Sequence, residues 1–171
     1  MIKLSNNILD NKTYKKLKEI CEDFDNRDLV IMGLDNFYVR LFIKNDILVD
    51  YKNNAKKYLI ENLPIDYTKT IDFEDTVSWI NKVSIETNKN DIFHTDFAEL
   101  TIVTYLNDEF TGGEFMYIDE TKKTETIIPK SNISLIMNNK LLHKVSAVNS
   151  GVRFSLVTFY KIKYKKNKTL I

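Results

Sequence analysis

Residues 93–106 read Phe93-His94-Thr95-Asp96-Phe97-Ala98-Glu99-Leu100-Thr101-Ile102-Val103-Thr104-Tyr105-Leu106. Two short runs within them, Phe93–Phe97 and Thr101–Leu106, carry the aromatic and β-branched residues that suit a pleated surface. The same texture extends outward. Val77–Ile85 precedes the stretch, and Glu114–Ile118, Thr124–Ile128, Ile133–Met137, His143–Val148 and Val152–Ile162 follow it. Polar or Gly-containing breaks separate them at Asn107–Gly113, Pro129–Asn132, Asn138–Lys140 and Asn149–Gly151. Many short strands at close spacing predict a mainly β fold, a sandwich or jelly roll, and not a parallel α/β sheet.

Upstream, the period changes to that of a helix. Leu9, Leu17, Ile20, Cys21 and Phe24 fall near one face, with Asp10 or Asn11 as N-cap. Asp46–Asn62 repeats the pattern through Ile47, Tyr51, Ala55, Tyr58 and Leu59, and Pro64 stops it. The stretch Asp28–Ile43 is open: Leu29–Met32 suits a strand, and Phe37–Ile43 suits either type. The helices are expected to support the outside of one sheet. With neither repeat nor linker in the sequence, residues 1–171 are expected to form one domain. Its parts would be helical support over 1–69, a β core over 70–163 and a basic tail over 164–171.

Composition narrows the function classes. At 43% apolar residues the chain can bury a substantial core. Its 25 basic residues are balanced by 24 acidic ones, so bulk charge gives no reason to expect nucleic acid or an anionic membrane as partner. The lysines between Lys161 and Lys168 read as a solvated end. A single cysteine, Cys21, excludes an internal disulfide and sits on an apolar helix face. Without a signal-like or membrane-length apolar run, a cytoplasmic location is expected.

The chain has two histidines, His94 and His143. His94-Thr95-Asp96 has the form His-x-Asp. On an extended backbone residues i and i+2 share a face, so an imidazole nitrogen and a carboxylate oxygen can converge on one ion. A second histidine from a distant strand would complete a two-histidine, one-carboxylate facial set, leaving coordination positions open. Arg153 lies ten residues after His143 in an apolar strand, on one face with Ser155, Val157 and Phe159. A buried guanidinium needs an anion, for which a bidentate carboxylate is the natural partner. Tyr105 shares a face with Val103 and Thr101, and its hydroxyl could join Arg153 on that carboxylate. Gly112-Gly113 supplies a tight turn.

Taken in order, His94-x-Asp96, Tyr105-Leu106-Asn107, Gly112-Gly113-Glu114-Phe115, Pro129, His143-Lys144-Val145 and Gly151-Val152-Arg153-Phe154-Ser155-Leu156 form a pattern. From Val77 to Ile162 it resembles the catalytic domain of the prolyl-4-hydroxylase-like 2-oxoglutarate/Fe(II) dioxygenases. The resemblance implies a double-stranded β-helix, cupin-like, with His94, Asp96 and His143 as iron ligands. It implies Arg153 and Tyr105, with Ser155 beside them, around the distal carboxylate of 2-oxoglutarate, and Val103, Phe115 and Val145 as apolar lining. The implied cofactors are Fe(II), 2-oxoglutarate as co-substrate and O2, with ascorbate as a candidate reductant. The implied reaction is hydroxylation of a prolyl residue in a peptide or protein, with release of succinate and CO2. A free amino acid or other small molecule is the alternative substrate. A non-catalytic jelly-roll binding module and a cupin-type enzyme using another divalent metal also stay open. Three features depart from the family: polar Glu86–Asn90 ahead of the His-x-Asp, Phe159 where Trp is common, and a short His94-to-His143 interval. No second arginine follows Arg153 closely, unlike in the AlkB-like nucleic-acid demethylases.

Overall fold

The period-two alternation of Val152–Ile162 becomes part of one long strand, Val148–Tyr164, around which the rest is arranged. The computed structural model describes residues 1–6, 8–23, 29–34, 39–43, 45–62, 71–87 and 91–164. In chain order the elements are β1 (Ile2–Ser5), α1 (Asn11–Glu22), β2 (Leu29–Leu34), β3 (Val39–Ile43), α2 (Asn45–Asn62), β4 (Ile71–Ser84) and β5 (Leu100–Tyr105). They continue as β6 (Phe110–Gly112), β7 (Phe115–Ile118), β8 (Thr124–Ile127), β9 (Ser134–Asn138), β10 (His143–Val145) and β11 (Val148–Tyr164). The major sheet runs β1-β9-β5-β11-β4-β3-β2, with β6 also pairing β11; a minor sheet runs β10-β7-β8. Every recorded strand pairing is antiparallel. This is the jelly-roll, double-stranded β-helix arrangement expected from the sequence, with helices on one side.

Two apolar layers share the major sheet. On its outer face Leu100, Ile102 and Leu106 join Phe154, Leu156 and Tyr160 beneath the helices. On its inner face Val103, Tyr105, Leu135, Met137, Val157 and Phe159 meet Trp79 and Phe115. Strand β5 is therefore buried at every position, which explains why it reads as nearly continuous apolar sequence. Each fully buried Leu, Ile or Phe contributes about 1.5–3 kcal/mol.

The helices follow their expected periodicity. Asp10 caps α1: its Oδ1 accepts from the backbone N–H of Lys12 at 3.0 Å and of Thr13 at 2.9 Å. Leu17, Ile20 and Cys21 are buried on that helix. Ile47, Leu48, Tyr51, Ala55 and Leu59 are buried on α2. Phe24, Phe37, Pro64 and the end of the basic tail lie outside the described residues.

Three expectations need correction. Phe93–Phe97 is not a strand; only His94 makes a β-bridge, to His143. After the bridge the segment bends before β5 begins at Leu100. The short strands β1 and β6 were not anticipated, since their residues carry little alternation. Asn149–Gly151 is no break. It lies inside β11, whose register against β6 shifts between Val148 and Ser150, next to Gly151 at φ +76.

Candidate metal centre and adjoining cleft

The centre begins with backbone pairing. The N–H of His94 donates to the carbonyl of His143 at 2.9 Å, and the N–H of His143 donates back to His94 at 2.9 Å. A directly opposed pair projects both side chains from the same face, and the imidazole centroids are 4.5 Å apart. Asp96 follows two residues after His94. One ligand atom from each of His94, Asp96 and His143 can be chosen so that all lie within 4.8 Å of one another.

Each donor is aimed by a second contact. The Nδ1 of His94 lies 2.9 Å from the Ile92 carbonyl, and the Nδ1 of His143 lies 2.9 Å from the Leu141 carbonyl. A carbonyl only accepts, so each Nδ1 carries a proton, and in a neutral ring that leaves the lone pair on Nε2. Burial pushes the His143 pKa down, against the opposing pull of the Leu141 carbonyl and the Asp96 charge, which favours the neutral ligand form. Thr101 donates its hydroxyl to Oδ2 of Asp96 at 2.5 Å. The other oxygen, Oδ1, stands 3.9 Å from Nε2 of His143. Asp91 accepts from the Val145 N–H at 3.2 Å and lies 3.7 Å from Nδ1 of His94, tying the two ligand segments together. The Phe115 ring stacks on His143 at 5.2 Å.

A cleft of about 110 Å³ opens over these groups. Its walls include His94, Asp96, His143, Val103, Phe115, Val145, Arg153 and Ser155, so nearly every expected site residue converges there. Tyr105 does not reach the wall. It lies behind Arg153, whose guanidinium carbon is 5.2 Å from its ring centre. Arg153 is 2% exposed, and neither its Nε nor the hydroxyls of Tyr105 and Ser155 have a hydrogen-bond partner. Burial raises the Tyr105 pKa, while the positive charge of Arg153 pulls it the other way. Gly113 gives the arginine stem its place: a Cβ there would come 3.0 Å from Cδ of Arg153, at a backbone φ of +69. Gly112-Gly113 is thus more than a turn.

Sequence reasoning missed Thr101 as a partner of Asp96, and Asp91, Arg40, Trp79 and Asn81 as cleft residues. Thr101 was detectable in principle, because it shares the inner face of β5 with Val103. Arg40 was not, since it sits in the stretch whose secondary structure was open.

The fold and site place the chain among double-stranded β-helix proteins. No family model matches the sequence, and no curated protein matches it. Among solved structures, a prolyl hydroxylase of Trichoplax adhaerens in complex with a hypoxia inducible factor peptide fragment aligns at TM-score 0.69 and 15% identity, over 94% of this chain and 83% of that one. The viral collagen prolyl hydroxylase of Paramecium Bursaria Chlorella virus-1, a 2-oxoglutarate complex, aligns at 0.63 and 15%, over 97% and 96%. HygX of Streptomyces hygroscopicus, with nickel and 2-oxoglutarate bound, aligns at 0.66 and 10%, over 94% and 82%. At such identities the likeness is one of fold. Among the described residues no helix is long and apolar enough to cross a membrane.

Proposed function

We propose that the protein is a non-haem Fe(II), 2-oxoglutarate-dependent dioxygenase that hydroxylates a substrate C–H, with a prolyl residue of a peptide or protein as the leading substrate. The observation that carries this reading is the buried Arg153, whose Nε has no partner, in the same cleft as the His94, Asp96 and His143 cluster. Such a charge is costly unless an anion meets it. A dicarboxylate spanning from Arg153 to a metal satisfies both ends of the cleft.

The donor set fits Fe(II): two neutral imidazoles and one carboxylate on one side, with open positions opposite. With iron, 2-oxoglutarate and O2 bound, the centre would supply oxidative decarboxylation to succinate and CO2, coupled to insertion of one oxygen atom into the substrate C–H. The protein's own contributions are positional. Ile92 and Leu141 hold both imidazoles in the Nδ1-protonated form. Thr101 turns Asp96 so that one oxygen faces the ligand position. Arg153 takes the distal carboxylate, with the Ser155 hydroxyl beside it and the Tyr105 ring backing the guanidinium. Val103, Phe115 and Val145 exclude water around the co-substrate. The neighbours bound to 2-oxoglutarate, and the one in complex with a peptide, support the co-substrate and substrate class.

The test is anaerobic titration of Fe(II)-loaded protein with 2-oxoglutarate, following the visible metal-to-ligand charge-transfer band. The band should vanish with His143→Ala and need more 2-oxoglutarate with Arg153→Ala. Freshly reconstituted wild-type protein without a band would refute the proposal.

A further inference from the structure

A second cationic group faces the cleft, on the far side of the floor from Tyr105. Strand register places Arg40 opposite Asn81, Asn81 opposite Ser155, and Ser155 opposite Tyr105. Four polar side chains therefore cross the inner face of the sheet in one transverse row, because directly paired residues share a face. Arg153 stands two residues from Ser155 on the same face of β11, opposite Val83 of β4. Of the row, Arg40, Asn81 and Ser155 line the cleft together with the metal-ligand cluster.

The outer end of the row is rigidly built. The Arg40 guanidinium carbon lies 4.6 Å from the centre of the Trp79 ring, close enough for cation–π attraction. The indole Nε1–H donates to Oδ1 of Asn81 at 2.8 Å. Since that N–H can only donate, it selects the oxygen of the amide and leaves the Asn81 NH2 as the group available to a ligand. A guanidinium offers five donors in a planar fork, so it can serve more than one acceptor at once. Phe159 closes this wall, 5.0 Å from Trp79, and the exposed Phe97 continues it outward at 4.7 Å from Phe159.

We infer that Arg40 and Asn81 form a carboxylate-binding subsite for the primary substrate. The molecule hydroxylated would then carry a free carboxylate on or next to the reacting residue, as a free amino acid or a chain-terminal residue does, and an internal peptide residue does not. The inference rests on the proposed function for its chemistry, but its physical basis is separate. Arg153 serves the dicarboxylate co-substrate, and Arg40 presents a second planar donor set on an aromatic wall leading in from the surface. That wall accepts the apolar body of the substrate while Arg40 and Asn81 hold its charged end.

Trp79 is the only tryptophan in the chain, so its fluorescence reports on this subsite directly. Protein loaded anaerobically with Mn(II) and 2-oxoglutarate, and unloaded protein in parallel, would be titrated with L-proline, L-pipecolate, L-leucine and N-acetyl-L-proline. Each would be offered as free acid and as primary amide. At least one acid should change the fluorescence saturably, and bind roughly tenfold or more tightly than its amide. Proline against N-acetylproline separates a free amino acid from a chain end. Arg40→Gln, with folding checked by circular dichroism, should erase the acid preference, and Asn81→Ala should reduce it. Equal binding of acid and amide, no response to any acid, or a preference surviving in folded Arg40→Gln would each overturn the inference. The Fe(II)/2-oxoglutarate absorption band reads the Arg153 side separately, so failure of the general function and failure of this subsite give different results.

Discussion

The two faces of β11 differ in how their polar groups are satisfied. Toward the helices, Phe154, Leu156 and Tyr160 pack in an apolar layer, and Thr158 shares a 2.9 Å hydroxyl contact with Ser78. One strand over, Thr104 and Ser134 pair at 2.7 Å. On the cleft side Arg153 and Ser155 are equally buried, at 2% and 1% exposure, yet the Arg153 Nε and the Ser155 hydroxyl have no partner. The hydroxyl pairs on the helix side are made within the chain, whereas the Arg153 Nε and the Ser155 hydroxyl border the cleft. Buried polar groups are normally paired, and a buried guanidinium at the edge of a cleft is where function is expected.

The sharpest way to break this contrast is to remove a ligand residue. Asp96→Ala should abolish turnover and metal binding while the helix-side core keeps the protein folded; circular dichroism with metal titration reads both. Next, Arg153→Met should act with opposite signs on the two measurements. The thermal midpoint of ligand-free protein should hold or rise, because an unpaired buried charge is gone, while 2-oxoglutarate affinity falls by about 2–5 kcal/mol. A clear loss of ligand-free stability would mean that the arginine is already satisfied. Leu156→Ala, its neighbour on the opposite face, should do the reverse. It should destabilise the fold by about 2–5 kcal/mol in urea titration and leave metal affinity unchanged in the folded protein.

Smaller effects sharpen the comparison. Thr101→Val should weaken metal binding by about 10–100-fold without a matching loss of stability, and Thr101→Ser should restore it. Finally, burial raises the Cys21 thiol from 9.0 to about 12. The folded state thus holds a proton that the unfolded state releases, so this contribution to stability declines as pH rises above 9 toward the folded value. Cys21→Ala should flatten that part of the curve, and alkylation of Cys21 should require unfolding.

Much of this was readable along the chain. Periodicity located both helices and most strands, and the order of His94, Asp96, His143 and Arg153 pointed to the chemistry. Phe93–Phe97 was misread as a strand because aromatic content resembles strand content, although only one residue there pairs. Asp91 and Arg40 carry no local signal, because their roles depend on what lies across a strand or a loop; alternation placed Thr101 on the face of Val103 but did not reveal its bond to Asp96.

The sequence by itself supplied the candidate donor residues, the alternation of β5 and β11, the cap at Asp10 and the glycines that permit positive φ. These follow from residue type and spacing over a few positions. Only the tertiary structure decided that His94 pairs with His143 through backbone hydrogen bonds, that Tyr105 stands behind Arg153, and that Arg40 enters the row of Asn81 and Ser155. Those are matters of strand register between segments far apart in the chain, and register is set by how both faces of a doubly buried sheet pack at once.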